Sequence, residues 1–374
     1  MMSAIRWRNL AGQERVKEFL DSAFQKGTLG HAFLFCGESG TGKFAAGVDL
    51  AMALLCSSNQ NRPCYECESC RKVRHYAHPD FHVIMPVVMQ KEHRASDGKL
   101  TTEGWQEIST SIQNRVENPY APRKLSSIPS IPLEWLKEIN HAVMRGPLEG
   151  GKNVVIIDGV DLMQKESANA MLKTLEEPPE GSVILLMTER IHSVLPTIIS
   201  RCQILRFSYL SPEVIRSELI SRYGADKDQA RLDASIYTGS LGESIKLWES
   251  PLSEESAEAV EFWGHCVSGD WDSLAAMIDR ISETDSSGAY GNFFLQIMNL
   301  IRSSFYRKLK GTENYIMSLE IPVLDLKNIR SPEKMEKLVM ECERAIGQVR
   351  VRANISLVLV NFAISVMEIL NGEE

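Results

Sequence analysis

The stretch HAFLFCGESGTGKFAAGVDLAMALL, residues 31–55, constrains the fold of this chain more than any other. An apolar run leads into a glycine-rich turn, and the turn leads into a helical pattern. Strand, glycine loop and helix in that order aim backbone N–H groups and a helix dipole at phosphate. Gly37, Gly42 and Lys43 match G-x-x-x-x-G-K-[ST], and Gly40 adds a further glycine inside the loop. Lys43 would reach the terminal phosphates as a point charge. The last position departs from the pattern, because Phe44 stands where a magnesium-binding hydroxyl belongs. Thr41 is out of register to replace it. A glycine-rich turn with no ligand is the competing reading, and the flanking strand and helix weigh against it.

Five short apolar runs punctuate the first half: HAFLFCG (31–37), FHVIMP (81–86), NVVIIDG (153–159), SVILLMT (182–188) and CQILRF (202–207). Most are continuously apolar, as strands buried on both faces must be. Helical patterns separate them, among them KFAAGVDLAMALL and SANAMLKTLEE, the latter stopped by Pro178 and Pro179. This alternation predicts a parallel α/β sheet covered on both faces. From about residue 88 to 130 the chain turns polar and Pro/Ser-rich around one helical pattern, WQEISTSIQNRV. That segment reads as a surface insertion, partly mobile. After residue 208 the pattern is almost wholly helical and ends in NISLVLVNFAISVMEIL. Asn354, Asn361 and Ser365 interrupt this last run, which reads as a buried bundle helix.

No apolar stretch approaches the ~20 residues of a membrane span. The start MMSAIRWRNLAGQ lacks a signal-peptide core, so the default expectation is a cytoplasmic protein. Charge is unevenly placed. From residue 208 onward there are 17 Lys and Arg against 26 Asp and Glu, whereas residues 1–207 hold 24 against 23. An acidic second half is poorly suited to wrapping nucleic acid, which argues against a zinc-dependent nucleic-acid-binding module.

Cys56, Cys64, Cys67 and Cys70 crowd into C-x7-C-x2-C-x2-C, while the chain's other four cysteines are scattered. Four soft ligands at this spacing suit tetrahedral Zn²⁺, and a site closed by four thiolates is structural rather than catalytic. His75 or His78 in place of Cys56 is the alternative ligand set. Phosphoryl transfer further requires an acidic group at the end of a buried strand. NVVIIDG places Asp158 there, followed by Gly159. Asp161, three residues past Asp158, reads as a surface helix residue rather than a substitute base.

These stretches, with HPD (78–80), LKTLEEPP (172–179) and SRC (200–202), resemble the clamp-loader subunits of bacterial DNA polymerase III, members of the AAA+ superfamily. The resemblance runs nearly continuously from residue 12 to 207, apart from the insertion. It implies a P-loop-type AAA+ nucleotide-binding domain over 1–207, with an embedded zinc module at 56–80. A small helical lid over 208–249 and an all-α collar over 250–374 would follow. The family contains ATP-hydrolysing gamma/tau-type motors and a stationary delta-prime subunit. Motors carry an intact phosphate loop, a Glu after the strand-ending Asp, and an Arg in a G-S-L-R stretch of the lid. Here those positions hold Phe44, Gly159 and Gly242.

The departures imply lost hydrolysis and leave nucleotide binding open. Thr188 falls at the family's sensor position and, without a γ-phosphate to sense, reads as a strand-end hydroxyl. Arg201, in the S-R-C motif, matches the arginine that reaches a neighbouring subunit's ATP. The implied role is a non-catalytic stator working with gamma/tau-type motor subunits and a delta-type subunit, and through them with the sliding clamp and primed DNA. The alternative is an active motor subunit in which Asp161 and a water replace the missing groups.

Overall fold

In the computed structural model the five apolar runs form one parallel sheet, in the order β2-β3-β4-β1-β5. The strands are β1 (Ala32–Cys36), β2 (Phe81–Ile84), β3 (Asn153–Asp158), β4 (Ser182–Thr188) and β5 (Gln203–Arg206). The structure describes residues 4–58, 60–87, 93, 99–121, 131–149, 151–163, 165–227, 230, 239–249, 254–283, 293–294, 296–298, 301, 332–350 and 353–371. Every residue of β1, β3 and β4 is buried, as their unbroken apolar text requires. The edge strand β5 buries only Leu205. In register, Cys36 pairs with Thr188 and Asp158 with Met187, so the carboxyl ends of β1, β3 and β4 align. The chain steps out from β1 to β2 and returns through β3 and β4. The loop after β1 therefore sits at a topological switch point, where open α/β sheets place their sites.

Helix α1 (Glu14–Lys26) precedes β1, and α2 (Lys43–Leu55) follows the glycine loop. All thirteen residues of α2 are buried, which explains its near absence of charge. Next come α3 (Glu68–Arg74), α4 (Thr102–Glu117), α5 (Leu133–Met144), α6 (Lys165–Glu176) and the short α7 (Pro196–Ile199). Helix α6 stops just short of Pro178 and Pro179, as their sequence position predicts. The reading of 88–130 as a surface insertion holds only in part. Its stretches 88–92, 94–98 and 122–130 lie outside the described residues. Helix α4, however, buries Ile108, Ile112 and Val116 in the main core, and Tyr120 just beyond it is 3% exposed.

The chain divides into two compact units. The first takes in most residues up to Lys246, including α8 (Pro212–Tyr223) and most of α9 (Leu241–Glu249). The second contains α10 (Glu254–Ser268), α11 (Trp271–Glu283), α12 (Pro332–Arg350) and α13 (Ile355–Asn371). Its core gathers Phe262, Trp263, Phe294, Cys342, Leu359 and Phe362, with Phe294 edge-on to Phe362 at 5.0 Å. One stripe of α13 is buried, whereas Leu357 and Ile364 on it are exposed. Among the described residues, no helix is long and apolar enough to cross a membrane.

Candidate functional site

The glycine loop closes on itself. Gly40 and Gly42 adopt left-handed φ of 70° and 101°, which lets the backbone curl ahead of α2. Lys43 folds back into the curl and donates from Nζ to the carbonyl oxygens of Gly37 and Glu38, both at 2.7 Å. The lysine is 7% exposed. Asp158, buried at the end of β3, faces a residue that sequence reasoning missed. Arg115, in the last turn of α4, forms an ion pair with it at 3.5 Å (Nη2 to Oδ2). The same guanidinium lies 4.6 Å over the ring of Phe44 and donates from Nη1 to the carbonyl of Ala121. Phe44 therefore replaces a metal-ligating hydroxyl with an apolar platform for a cation.

The other departures also have structural reasons. Gly159 sits at φ 78°, a left-handed conformation that a glutamate would occupy only with strain. At Gly242, in the first turn of α9, an added Cβ would lie 2.6 Å from the Tyr120 carbonyl oxygen and 3.1 Å from the Gly40 Cα. An arginine cannot be built there without moving backbone. Thr188 is fully buried and donates from Oγ1 to Asp161 Oδ1 at 2.9 Å, while Arg190 Nε donates to the other Asp161 oxygen at 3.3 Å. Asp161 is thus not a surface residue. It is a nearly buried anchor for the end of β4, with both carboxylate oxygens engaged.

Arg201 stands apart from this pocket, between α7 and β5. Its guanidinium donates to Thr197 O at 2.7 Å and to Glu176 Oε1 at 2.5 Å, and one third of the side chain remains exposed.

The sulfur atoms of Cys56, Cys64, Cys67 and Cys70 all lie within 4.8 Å of one another. Cys56 to Cys67 is 3.9 Å and Cys64 to Cys70 is 4.0 Å. A Zn–S distance of about 2.3 Å in a tetrahedron sets sulfurs ~3.8 Å apart, so the group fits the ion. The N–H groups of Cys64, Cys67 and Cys70 point at Cys56, Cys64 and Cys67 sulfurs respectively, at 3.3–3.5 Å, which stabilises thiolate charge. The four sulfurs come together without His75 or His78, although His78 Nε2 is buried without a hydrogen-bond partner among the described residues. His75 Nδ1 is 3.2 Å from Glu117, and His78 Nδ1 accepts from the Asp80 N–H.

Asp49, fully buried on α2, ties this cysteine module to the start of the chain. It accepts from Asn9 N and Nδ2, Leu10 N and the Tyr65 hydroxyl, at 2.7–3.1 Å. Asp49→Ala strands these donors, so it is expected to cost about 3 kcal/mol or more in urea unfolding. Burial pushes the Asp49 carboxyl up to about 6, against the pull of its four donors. The folded chain thus holds that proton more tightly than the unfolded one, whose carboxyl titrates near ~4. The stability it contributes is complete below about pH 4 and lost as pH rises through about 6. Asp49→Asn is expected to flatten that part of the pH profile.

The sequence matches the family described as DNA polymerase III, delta subunit, over residues 12–211. It is 30% identical to the DNA polymerase III subunit delta′ of Bacillus subtilis over 69% of this chain and 66% of that protein. Identity to the delta′ subunit of Haemophilus influenzae is 27%, over 55% of this chain and 51% of the relative. The tau subunit of B. subtilis is also similar, at 27% over 66% of this chain and 38% of the relative. The chain thus spans between about half and two thirds of the two delta′ relatives. By the family match over more than half its length, and with delta′ subunits among its relatives, the chain belongs to the DNA polymerase III delta-subunit family as a delta-prime-type subunit.

Proposed function

We propose that this chain is a non-catalytic, delta-prime-like stator of the DNA polymerase III clamp loader. In this reading its helical second unit is the collar that completes the ring with gamma/tau-type motor subunits and a delta-type subunit. Arg201 serves as a trans arginine finger for the ATP of a neighbouring motor while the sliding clamp is loaded onto primed DNA. Its AAA+ domain works in the cytoplasm, and the four thiolates hold a structural Zn²⁺.

The observation that carries the reading is the internal engagement of the hydrolytic positions. Lys43 is bonded to its own loop, Asp158 is paired with Arg115, and Thr188 is bonded to Asp161. Hydrolysis needs such groups turned toward a metal and a transferring phosphoryl instead. Arg201, by contrast, is held by the Thr197 carbonyl, the Ser200 hydroxyl and a half-exposed carboxylate, with one third of its side chain exposed.

The test is the DNA-stimulated ATPase rate of the reconstituted clamp loader carrying Lys43→Ala in this chain alone. A stator predicts an unchanged rate. A fall of ~10²-fold or more at one site would mean that the chain turns over nucleotide itself and is a motor.

A further inference from the structure

We infer that helix α4 and the residues after it, Pro119–Ala121, form a built-in ligand of the degenerate phosphate loop. In this role they replace nucleotide and metal and keep α9 docked on the loop without either. The inference rests on reading residues 37–43 as a former phosphate loop, and it assigns a role to part of the 88–130 insertion.

Four contacts carry it. Arg115 brings a positive charge to Asp158, the acidic group that a loop of this kind directs at a metal ion. Its guanidinium is stacked on Phe44, so the residue that cannot ligate a metal is the one that seats its replacement. Tyr120 fills the space against the loop. Its hydroxyl accepts from the Ala11 N–H at 2.9 Å, and a Cβ added at Gly42 would lie 2.7 Å from that oxygen. Finally, α9 closes over both: the Leu241 N–H donates to Gly40 O at 3.1 Å, and Gly242 is pressed between Gly40 and the Tyr120 carbonyl. The cavity left among these groups is about 20 Å³, room for a water molecule and far short of the several hundred Å³ of a small-molecule site.

A nucleotide-binding loop ordinarily couples lid position to the ligand, because the ligand's contacts differ between the two lid positions. Here the contacts that would vary with nucleotide belong to the chain itself, so the lid has one position. A fixed lid is what a stationary subunit requires.

The experiment is hydrogen exchange of the full chain, read at the Leu241 amide with and without ATP and Mg²⁺. The β4 amides serve as an internal reference. In the wild type, protection of Leu241 is expected to be high and unchanged by ATP–Mg²⁺. Arg115→Ala and Gly242→Ala are each expected to lower it by about tenfold or more while β4 stays protected. Gly242→Ala leaves the buried Arg115–Asp158 pair intact, so it keeps the test decisive if Arg115→Ala fails to fold. Wild-type protection that rises with ATP–Mg²⁺ would overturn the inference, as would Leu241 exchange that neither variant alters. Exchange at Leu241 and turnover by the assembled complex are separate readouts. Failure of the lid inference is therefore distinguishable from failure of the stator reading.

Discussion

Arg201→Ala in this chain is expected to lower ATP turnover at the neighbouring motor site by about 10³-fold or more, with no measurable loss of the chain's own stability. A finger acts on charge that develops only in the transition state, so its removal appears in turnover rather than in nucleotide affinity. The local geometry fits a residue free to be redeployed. Its ion pair with Glu176 joins two partly exposed side chains, and such pairs contribute about 0–1 kcal/mol. Exchanging Glu176 for a phosphate therefore costs little, and losing the pair should leave the unfolding midpoint in place. Arg201→Lys keeps the charge and loses the planar fork, so a partial defect is expected. Single-turnover ATP hydrolysis by the reconstituted complex, beside urea unfolding of the free chain, measures both quantities. An unchanged turnover would remove Arg201 from the mechanism and leave it an ordinary surface ion pair.

Stripping the metal from the cysteine module is expected to have the largest effect on the fold. Structural zinc contributes on the order of 10 kcal/mol in small metal-dependent modules, because the site does not exist in the unfolded chain. Residues 56–74 bury few side chains of their own, chiefly Cys56, Cys70 and Val73. Without the ion, little else holds four sulfurs within 4.8 Å. A chelator or Cys67→Ser is expected to remove one equivalent of zinc and destabilise the first unit by at least about 3 kcal/mol. In a domain of this size that is a midpoint shift of roughly 6–12 °C. The loosening should also spread in a defined direction. Tyr65, between two of the ligands, bonds Asp49 and the Arg6 carbonyl, so the Asn9 and Leu10 amides on Asp49 should exchange faster in the metal-free chain. Chelation that changes neither zinc content nor exchange at these amides would rule out the zinc site.

Much of the fold was legible because its signals are local. A strand buried on both faces must be apolar throughout, and all five runs recur as strands of one parallel sheet. The helix after the glycine loop spans KFAAGVDLAMALL, and the cysteine spacing brings the four sulfurs together. The reading weakened where burial depends on distant partners. Asp161 read as a surface helix residue because nothing in its own stretch, GVDLM, supplies a partner for the carboxylate. Its burial comes from β4, through Thr188 and Arg190. Helix α4 read as the one helix of a surface insertion because polar text flanks it, although its 108-112-116 apolar spacing gave the face that is buried.

By itself, then, the sequence determined the sheet, the glycine loop, the thiolate cluster and the three substitutions that break the hydrolytic pattern. Each is a matter of residue type at short spacing, which backbone geometry converts directly into structure. Only the tertiary structure decided what those substitutions are for. Phe44 carries Arg115, Gly159 gives the left-handed turn that ends β3, and Gly242 lets α9 rest on Gly40. These partners lie far apart along the chain, and no periodicity or motif links them. Their meeting follows from close packing of the folded unit, where a single added Cβ would collide with backbone.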